Sequence, residues 1–487
     1  MKKNLLKSMH LLCASLLSVI VLSCGPRKAE VYVTSGAGEM QFRFAQLGNA
    51  DLRDVAPSEG NFIQLKPESH CQPVYGFGAA ITGSTCYNLL QMSEEDREAI
   101  LQECFSPDEM AMSFIRISIG ASDFSLDEYT CCDKEGIEFF ELHEYDRRDL
   151  LPILKRILEI NPAVRIVGSP WSCPKWMKIH HVTGEPFDSW TSGILNPKYY
   201  ADYAEYFVRW IGEMEAEGIP IYAITVQNEP LNHGNSMSLY MGWEQQRDFI
   251  RDHLGPEFEK HDIKAKIWAF DHNYNYDNVP DQQGYPLNIF ADAEASKYIA
   301  GSAWHNYGGR VSELDRIHKA YPDKEIVFTE ASIGTWNYDF EKCLVNDFAS
   351  IFIGTLNRYG RGVTLWNLIL DDKGAPNRPK GCRTCFGAIE ISSETYDYAS
   401  LDRKSHYYNI VHCSKVIQPD AWRVEVEAEA ELPRGVEMSA FVNPDGSLAV
   451  VAVNRSQEWQ NVDVKGAKRE FTLTIPPRGI ASAKWVE

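Results

Sequence analysis

The sequence is poor in basic side chains, with 48 Lys and Arg against 68 Asp and Glu and a net charge of −20. Phosphate backbones and anionic lipid surfaces are therefore poor electrostatic partners, and nucleic acid is set aside. A neutral substrate is the easier expectation. No G-x-G-x-x-G turn opens a helix, since "GFGAA" at 76–80 supplies only the first glycines of such a pattern, which removes the usual reason to prefer a doubly wound dinucleotide-binding sheet. Zinc spacing is missing as well. Among twelve cysteines the only close pairs are Cys131-Cys132 and Cys382 with Cys385, and neither has a second Cys or His pair at ligand spacing. In an export compartment Cys382 and Cys385 are either a disulfide or two free thiols. There is no internal repeat and no low-complexity tract. With 44% hydrophobic and 12% aromatic residues in 487, the chain buries a large core, and disorder is excluded.

The first residues, "MKKNLLKSMHLLCASLLSVIVLSCG", combine a basic start with an apolar run that ends at Ser23-Cys24. This predicts a secretory signal, too short for a spanning helix. Val21-Leu22-Ser23-Cys24 resembles a bacterial lipobox, which would make Cys24 a lipidated membrane anchor; an ordinary signal with an incidental Cys24 is the alternative. The expected organisation is a signal at 1–23, a tether at 24–38, N-terminal strands at 39–73 that join a β-sandwich, a barrel at 74–404, and the C-terminal β-sandwich at 405–487.

From Gly76 to Asn409 short β-rich runs alternate with amphipathic stretches. "VYGFGAA", "SFIRISIG", "RIVGSPW", "YAITVQNEP", "KIWAFDHN", "GSAWHNY", "EIVFTEAS" and "GVTLWNLIL" are eight strand candidates. Helix candidates between them include Asp146 to Glu159, Pro197 to Glu217, Trp243 to Leu254, Asp292 to Ile299 and Leu314 to Ala320. Eight such units predict an α/β fold, a (β/α)8 TIM barrel, with a doubly wound sheet as the alternative. After Ser405 the pattern becomes alternating strands and turns, Asn443-Pro444-Asp445-Gly446 among them, and predicts an attached antiparallel β-sandwich without helices. "EVYVTSGAGEMQFRFAQL" near the mature start alternates in the same way.

In a barrel, functional side chains project from the C-terminal ends of the strands. Those ends carry Asp123, Trp171, Asn228 and Glu229, His305 and Tyr307, Glu330, and Trp366. Carboxylates interleaved with aromatics suit a neutral sugar, which offers an apolar face to stack and hydroxyls to bond. Two glutamates on separate strands fit glycoside cleavage, Glu229 or Glu330 protonating the leaving oxygen while the other attacks the anomeric carbon. Each residue alone has an ordinary structural reading; their recurrence at one end of successive strands carries the inference.

These residues also carry a resemblance. "YGFGAAITGSTCYNLL", "RISIGASDFSLDEYTCCD", "GSPWSCPKWMK", "ITVQNEP", "QRDFIRDHLGP", "SAWHNYGG", "VFTEAS" and "LWNLILDDKGAPN" stand in the order and at roughly the spacing of glycoside hydrolase family 30. The chain is most similar to the branch containing glucosylceramidase and microbial β-1,6-glucanases. The resemblance implies a retaining double displacement, with Glu229 as general acid/base and Glu330 as nucleophile. It also implies Asn228 at the 2-hydroxyl, Asp123, Trp171 and Trp366 on the glycone, Asn377 near the pocket rim, Arg116 as the site's buried cation and Tyr307 as partner of the nucleophile. Two departures stand out. Gly83 follows Thr82 where the family's opening block has an Asp, and the rim after "APN" continues "RPKGCRTCFG" rather than with the aromatic seen in the glucosylceramidase. The resulting expectation is an exported, membrane-anchored lipoprotein, periplasmic or cell-surface, that hydrolyses β-glucosidic bonds without metal or organic cofactor. A β-1,6-glucan is favoured over glucosylceramide or a β-xyloside, and a non-catalytic glycan-binding lipoprotein is the reading of another class.

Overall fold

The computed structural model describes residues 28–487 except 37–40, 47, 49, 56–61, 236, 379–380 and 428–431. The expected signal and Cys24 lie outside the described residues.

Eight strands form one parallel sheet: β1 (Gly76–Ala79), β2 (Phe114–Ile119), β3 (Arg165–Pro170), β4 (Ala223–Thr225), β5 (Lys266–Asn273), β6 (Ile299–His305), β7 (Glu325–Glu330) and β8 (Gly360–Leu365). Seven parallel ladders run from β2 round to β8 and on to β1. The remaining gap, between β1 and β2, is bridged where Ser113 N donates to Phe77 O at 3.0 Å and Ile81 N to Arg116 O at 2.9 Å. Helices on the outside cover the sheet, so both faces are buried, and strands such as "FIRISI" and "EIVFTE" are buried at every residue. That is why they read as apolar runs rather than alternations.

One end of the barrel is plugged. Tyr75, Phe114, Val167, Ala223, Trp268, Ala303 and Val327 pack together inside it, around Glu325. This carboxylate accepts from Tyr75 OH at 2.6 Å, Lys266 Nζ at 2.7 Å and Trp268 Nε1 at 2.9 Å. A filled base leaves the opposite, C-terminal mouth for chemistry.

The second unit is a β-sandwich around Ala29, Val31, Val33, Val450, Phe471 and Trp485, among others. Its strand Lys28–Ser35 pairs antiparallel with Gly479–Trp485, so those residues of the expected tether are structural. Their alternation of buried Ala29, Val31 and Val33 is what a half-buried strand requires. One pairing departs from the antiparallel expectation: Gln460–Lys465 runs parallel to Phe62–Pro73.

The stretch expected to open an all-strand sandwich at 405 begins instead with a helix, Ser405–Ser414. It lies between the two units. His412 on it, neutral because burial draws its pKa down to about 3, bonds Thr34 Oγ1 and Ser482 Oγ, both at 2.8 Å. The helix thus ties the first and last described strands of the sandwich to the barrel.

Candidate active site

The site begins where β4 ends. Beyond Thr225 the chain stays bonded to its neighbours, with Asn228 N donating to Pro170 O at 2.8 Å and Glu229 N to Asp271 O at 3.1 Å. Glu229 has φ 44°, Asp271 73° and Asn367 64°. Left-handed backbone at a non-glycine residue costs about 1–2 kcal/mol, so three strand ends accept strain to aim their side chains. Pro230, which has no N–H to continue a ladder, follows directly.

Arg116, mid-strand on β2 and wholly buried, organises the floor. Its Nη1 donates to Glu330 Oε2 at 2.8 Å; its Nη2 donates to Asn228 Oδ1 and Asp271 Oδ2, both at 2.7 Å, and to Ser169 Oγ at 3.1 Å. The guanidinium also lies 4.8 Å from the Trp171 ring centre and 5.5 Å from that of Trp366, whose rings stack at 4.9 Å. Asp271 completes the set by accepting from Thr225 Oγ1 and Thr329 Oγ1, each at 2.6 Å. Burial alone would raise Asp271, but the Arg116 charge and the His305 bond outweigh it and hold the carboxyl far below the usual range.

Glu229 and Glu330 face each other across this floor. One oxygen of each carboxylate and one His305 ring nitrogen all lie within 4.8 Å of one another. Glu330 Oε1 accepts from Tyr307 OH at 3.0 Å, and Glu229 Oε2 from Asn232 Nδ2 at 2.7 Å. Two carboxylates and an imidazole are donor types a metal could use, but here Arg116, Tyr307 and Asn232 already bond the carboxylates. Carboxyl groups about 5–5.5 Å apart accommodate direct attack on a sugar, whereas inversion with an intervening water needs about 6.5–9.5 Å.

His305 sits between the two. Its Nδ1 is 3.4 Å from Glu229 Oε1 and 4.0 Å from Glu330 Oε1, and its Nε2 is 3.1 Å from Asp271 Oδ1. Burial would lower its pKa, but the Glu330 charge and the bonds to Asp271 and Glu229 push it up to about 9. Burial likewise opposes the fall at Glu229, where the His305 bond and the charges of His272 and His305 prevail and draw the carboxyl down. Glu330 is held above its ordinary value by burial, against the pull of His305 and Arg116.

Among the expected substrate contacts, Asp123, Trp171, Asn228 and Trp366 all come to this mouth. Asp123 Oδ1 is buried with no hydrogen-bond partner; burial, then the Glu330 and Glu229 charges, push this carboxyl well up. These causes favour its protonated form, which can donate to a hydroxyl. Arg116 is the site's buried cation, as the resemblance implies, and His305 is as deeply buried; both bond the carboxylates of the floor, so they position those groups. Asn377 is half-buried and donates to Gly374 O at 2.7 Å, holding its own turn.

Three contributors escaped the sequence reading. Asp271, His272 and Asn232 all serve the glutamates, His272 Nε2 lying 3.8 Å from Glu229 Oε1. Of these, His272 stands near the close of the fifth strand candidate, "KIWAFDHN", while Asp271 lies inside that run. The departure at Gly83 also has a structural answer. Gly83 lines a cavity of about 10 Å³ together with Ser118, Ser125, Tyr129, Asp146 and Asp149. Buried Asp146 accepts from Tyr129 OH at 2.7 Å, so carboxylates of the helical segment Asp146–Leu150 line the cavity beside Gly83.

The rim is pinned. Lys178 Nζ, buried, donates to the carbonyls of Ser238 at 2.8 Å, Ser192 at 2.9 Å and Ser189 at 3.0 Å, joining the loops after β3 and β4. Replacing it by Met strands these carbonyls, and Lys178→Met is expected to lower the unfolding free energy by about 3 kcal/mol in urea titration; an unchanged midpoint would contradict the pin.

A (β/α)8 barrel with a facing glutamate pair at its C-terminal mouth defines an O-glycosyl hydrolase. Residues 74–417 match the glycosyl hydrolase family 30 TIM-barrel domain and residues 420–483 the family 30 beta sandwich domain. The chain belongs to glycosyl hydrolase family 30. It is 29% identical over 475 residues to endo-1,6-beta-D-glucanase BGN16.3 of Trichoderma harzianum, covering 91% of this chain and 92% of that protein. It is 26% identical over 447 residues to lysosomal acid glucosylceramidase of Mus musculus, covering 86% and 82%. The solved structure of the endo-beta1,6-glucanase BT3312 superposes with a TM-score of 0.89 at 48% identity, covering 94% of this chain and 100% of that one.

Proposed function

We propose that the protein is a retaining glycosidase that cleaves β-1,6-linked glucan, with Glu330 as nucleophile and Glu229 as general acid/base. The observation that carries the retaining chemistry is the oxygen separation of Glu229 and Glu330, within 4.8 Å. The linkage is supported by the relatives whose names state it, among them a 48% identical one.

In this reading, Trp171 and Trp366 wall the glycone pocket, Asp123 bonds an outer hydroxyl and Asn228 the 2-hydroxyl. Glu330 attacks the anomeric carbon as Glu229 gives a proton to the departing oxygen. That proton rests on His305 in the free site and passes from Nδ1 to Glu229 as the bond breaks. Ester formation neutralises Glu330, the charge that most raises His305, so glycosylation itself loosens the proton. Water then attacks the glucosyl ester, with Glu229 and His305 taking its proton back.

The rate profile follows. Its acid limb is Glu330 gaining a proton, above the ordinary carboxylate value. Its alkaline limb is the Glu229–His305 pair losing one, at about 9. His305→Asn is expected to move the alkaline limb of kcat/KM down by more than one pH unit; an unmoved limb would refute the relay. Because the folded pKa of His305 is raised, its contribution to stability is full below about 6.5 and is lost as pH rises through about 9.

The substrate is tested by a product time course on linear β-1,6-glucan with glucosylceramide in parallel. Gluco-oligosaccharides from the polymer support the proposal, whereas glucose released from the lipid alone overturns it. We also propose export with lipid attachment at Cys24, on the sequence evidence of Val21 to Cys24. Loss of incorporated radiolabelled palmitate in Cys24→Ala is the expected result, and equal labelling would refute it.

A further inference from the structure

The loop that follows the nucleophile strand holds an exposed indole. Trp336 is 56% exposed, and Tyr307, whose hydroxyl bonds Glu330, is 46% exposed. Most large aromatics of the barrel are buried, and an exposed one on a mobile loop would be unremarkable. This loop is not loose. Ile333–Gly334 pairs antiparallel with Cys385–Phe386, and Thr335 N donates to Thr384 O at 2.8 Å. Tyr338 packs edge-on against Phe386 at 5.3 Å, and its hydroxyl accepts from Ser405 N at 3.2 Å. Upstream, Ser332 Oγ bonds Tyr307 OH at 3.0 Å.

The indole itself is seated. It lies against the bare backbone of Gly334, where a Cβ would run into both the Trp336 ring and the Thr384 carbonyl. The opposing strand is closed by the Cys382–Cys385 disulfide, and the same rim segment is anchored to the glycone side, with Arg378 N donating to Asp123 O at 2.8 Å. An aromatic ring packed against Gly334 yet 56% exposed, six residues past Glu330, has the form of a stacking surface.

We propose that Trp336 is a stacking platform for the glucosyl ring that adjoins the one held in the glycone pocket, making it a determinant of action on chains rather than on single glucosides. This rests on the β-1,6-glucan reading above. A pyranose ring presents axial C–H groups on one face, which suit an indole, and a 1,6 linkage adds a rotatable bond that lets the second ring lie down on a surface at the rim. The neutral, hydroxyl-rich occupant also matches a site in which Glu229, Glu330 and Asp271 already have protein partners.

The test compares two substrates on wild type, Trp336→Ala and Trp336→Tyr. β-D-Glucosyl fluoride has no second ring, whereas linear β-1,6-gluco-oligosaccharides do. Trp336→Ala is expected to lower kcat/KM on the oligosaccharides by about ten-fold or more and to leave that on the fluoride within about two-fold. Trp336→Tyr should recover most of the loss. Equal loss on both substrates, or no loss on oligosaccharides, would overturn the platform alone. A wild-type enzyme that hydrolyses the fluoride but no β-1,6-linked oligosaccharide would sink the linkage reading and the platform's occupant with it.

Discussion

Glu330→Gln is expected to lower kcat by about 10⁴-fold or more on every β-glucoside the wild type cleaves. The amide cannot form the glycosyl ester, and no other carboxylate is placed to replace it: Asp271 is bound to Arg116 at 2.7 Å and to three hydroxyls. The fold should survive. The amide oxygen introduced by Glu330→Gln can still accept from Arg116, and the Asp271 partner keeps that buried cation paired, so the penalty of an orphaned charge does not arise. Thermal unfolding of the variant beside the wild type checks this. The sharper signature is chemical rescue of Glu330→Ala by azide or formate, which can enter the space left by the carboxylate. With an activated β-glucoside, azide attacking from that side gives the α-glucosyl azide. Residual activity within ten-fold of wild type would remove Glu330 from the nucleophile's role.

Glu229→Ala has the second largest expected effect and a different dependence on substrate. For glucans, whose leaving oxygen needs a proton, kcat/KM should fall by about 10² to 10⁴-fold. For aryl glucosides with acidic phenols the first step needs little protonation and should fall far less, so hydrolysis of the ester becomes slow and intermediate accumulates. Azide then reacts from the face Glu229 vacates and gives the β-glucosyl azide, the opposite anomer to that expected from Glu330→Ala. The removed carboxylate also leaves His305 with one anion fewer at 3.4 Å, so the alkaline limb near 9 should disappear. Equal losses on glucans and on activated aryl glucosides would contradict the assignment to Glu229.

Much of this site was legible because barrels expose strand ends, and the sequence marks strand ends where apolar runs stop at polar residues. Glu229 and Glu330 are of that kind. Arg116 could be named only through a resemblance, because an arginine in the middle of "FIRISI" has no periodic signature and its partners come from β3, β4, β5 and β7. Asp271 was overlooked for a related reason: it stands inside a strand run, and only the left-handed turn at that residue aims it at Arg116. His305 was legible as a site residue but not in its role, since exposure and tautomeric partners are properties of the packed barrel. The helix Ser405–Ser414 hid because all ten residues are buried, which erases the amphipathic stripe a helix reading depends on. Similarly, the expected helix from Asp292 to Ile299 shrinks to Ala293–Ser296, and the larger turn of helix there is Tyr285–Phe290. Pro286 at its first turn is a start signal that the apolar pattern outweighed.

The account's central claim is that Glu229 and Glu330 act as a retaining pair, and the first-formed anomer of the product tests it most directly. Proton NMR of a β-1,6-linked gluco-oligosaccharide, followed from the first turnover before mutarotation, should show the new reducing end from the glycone side appear as the β-anomer. The α-anomer appearing first would mean inversion, with water rather than Glu330 as the attacking group, and would contradict the account.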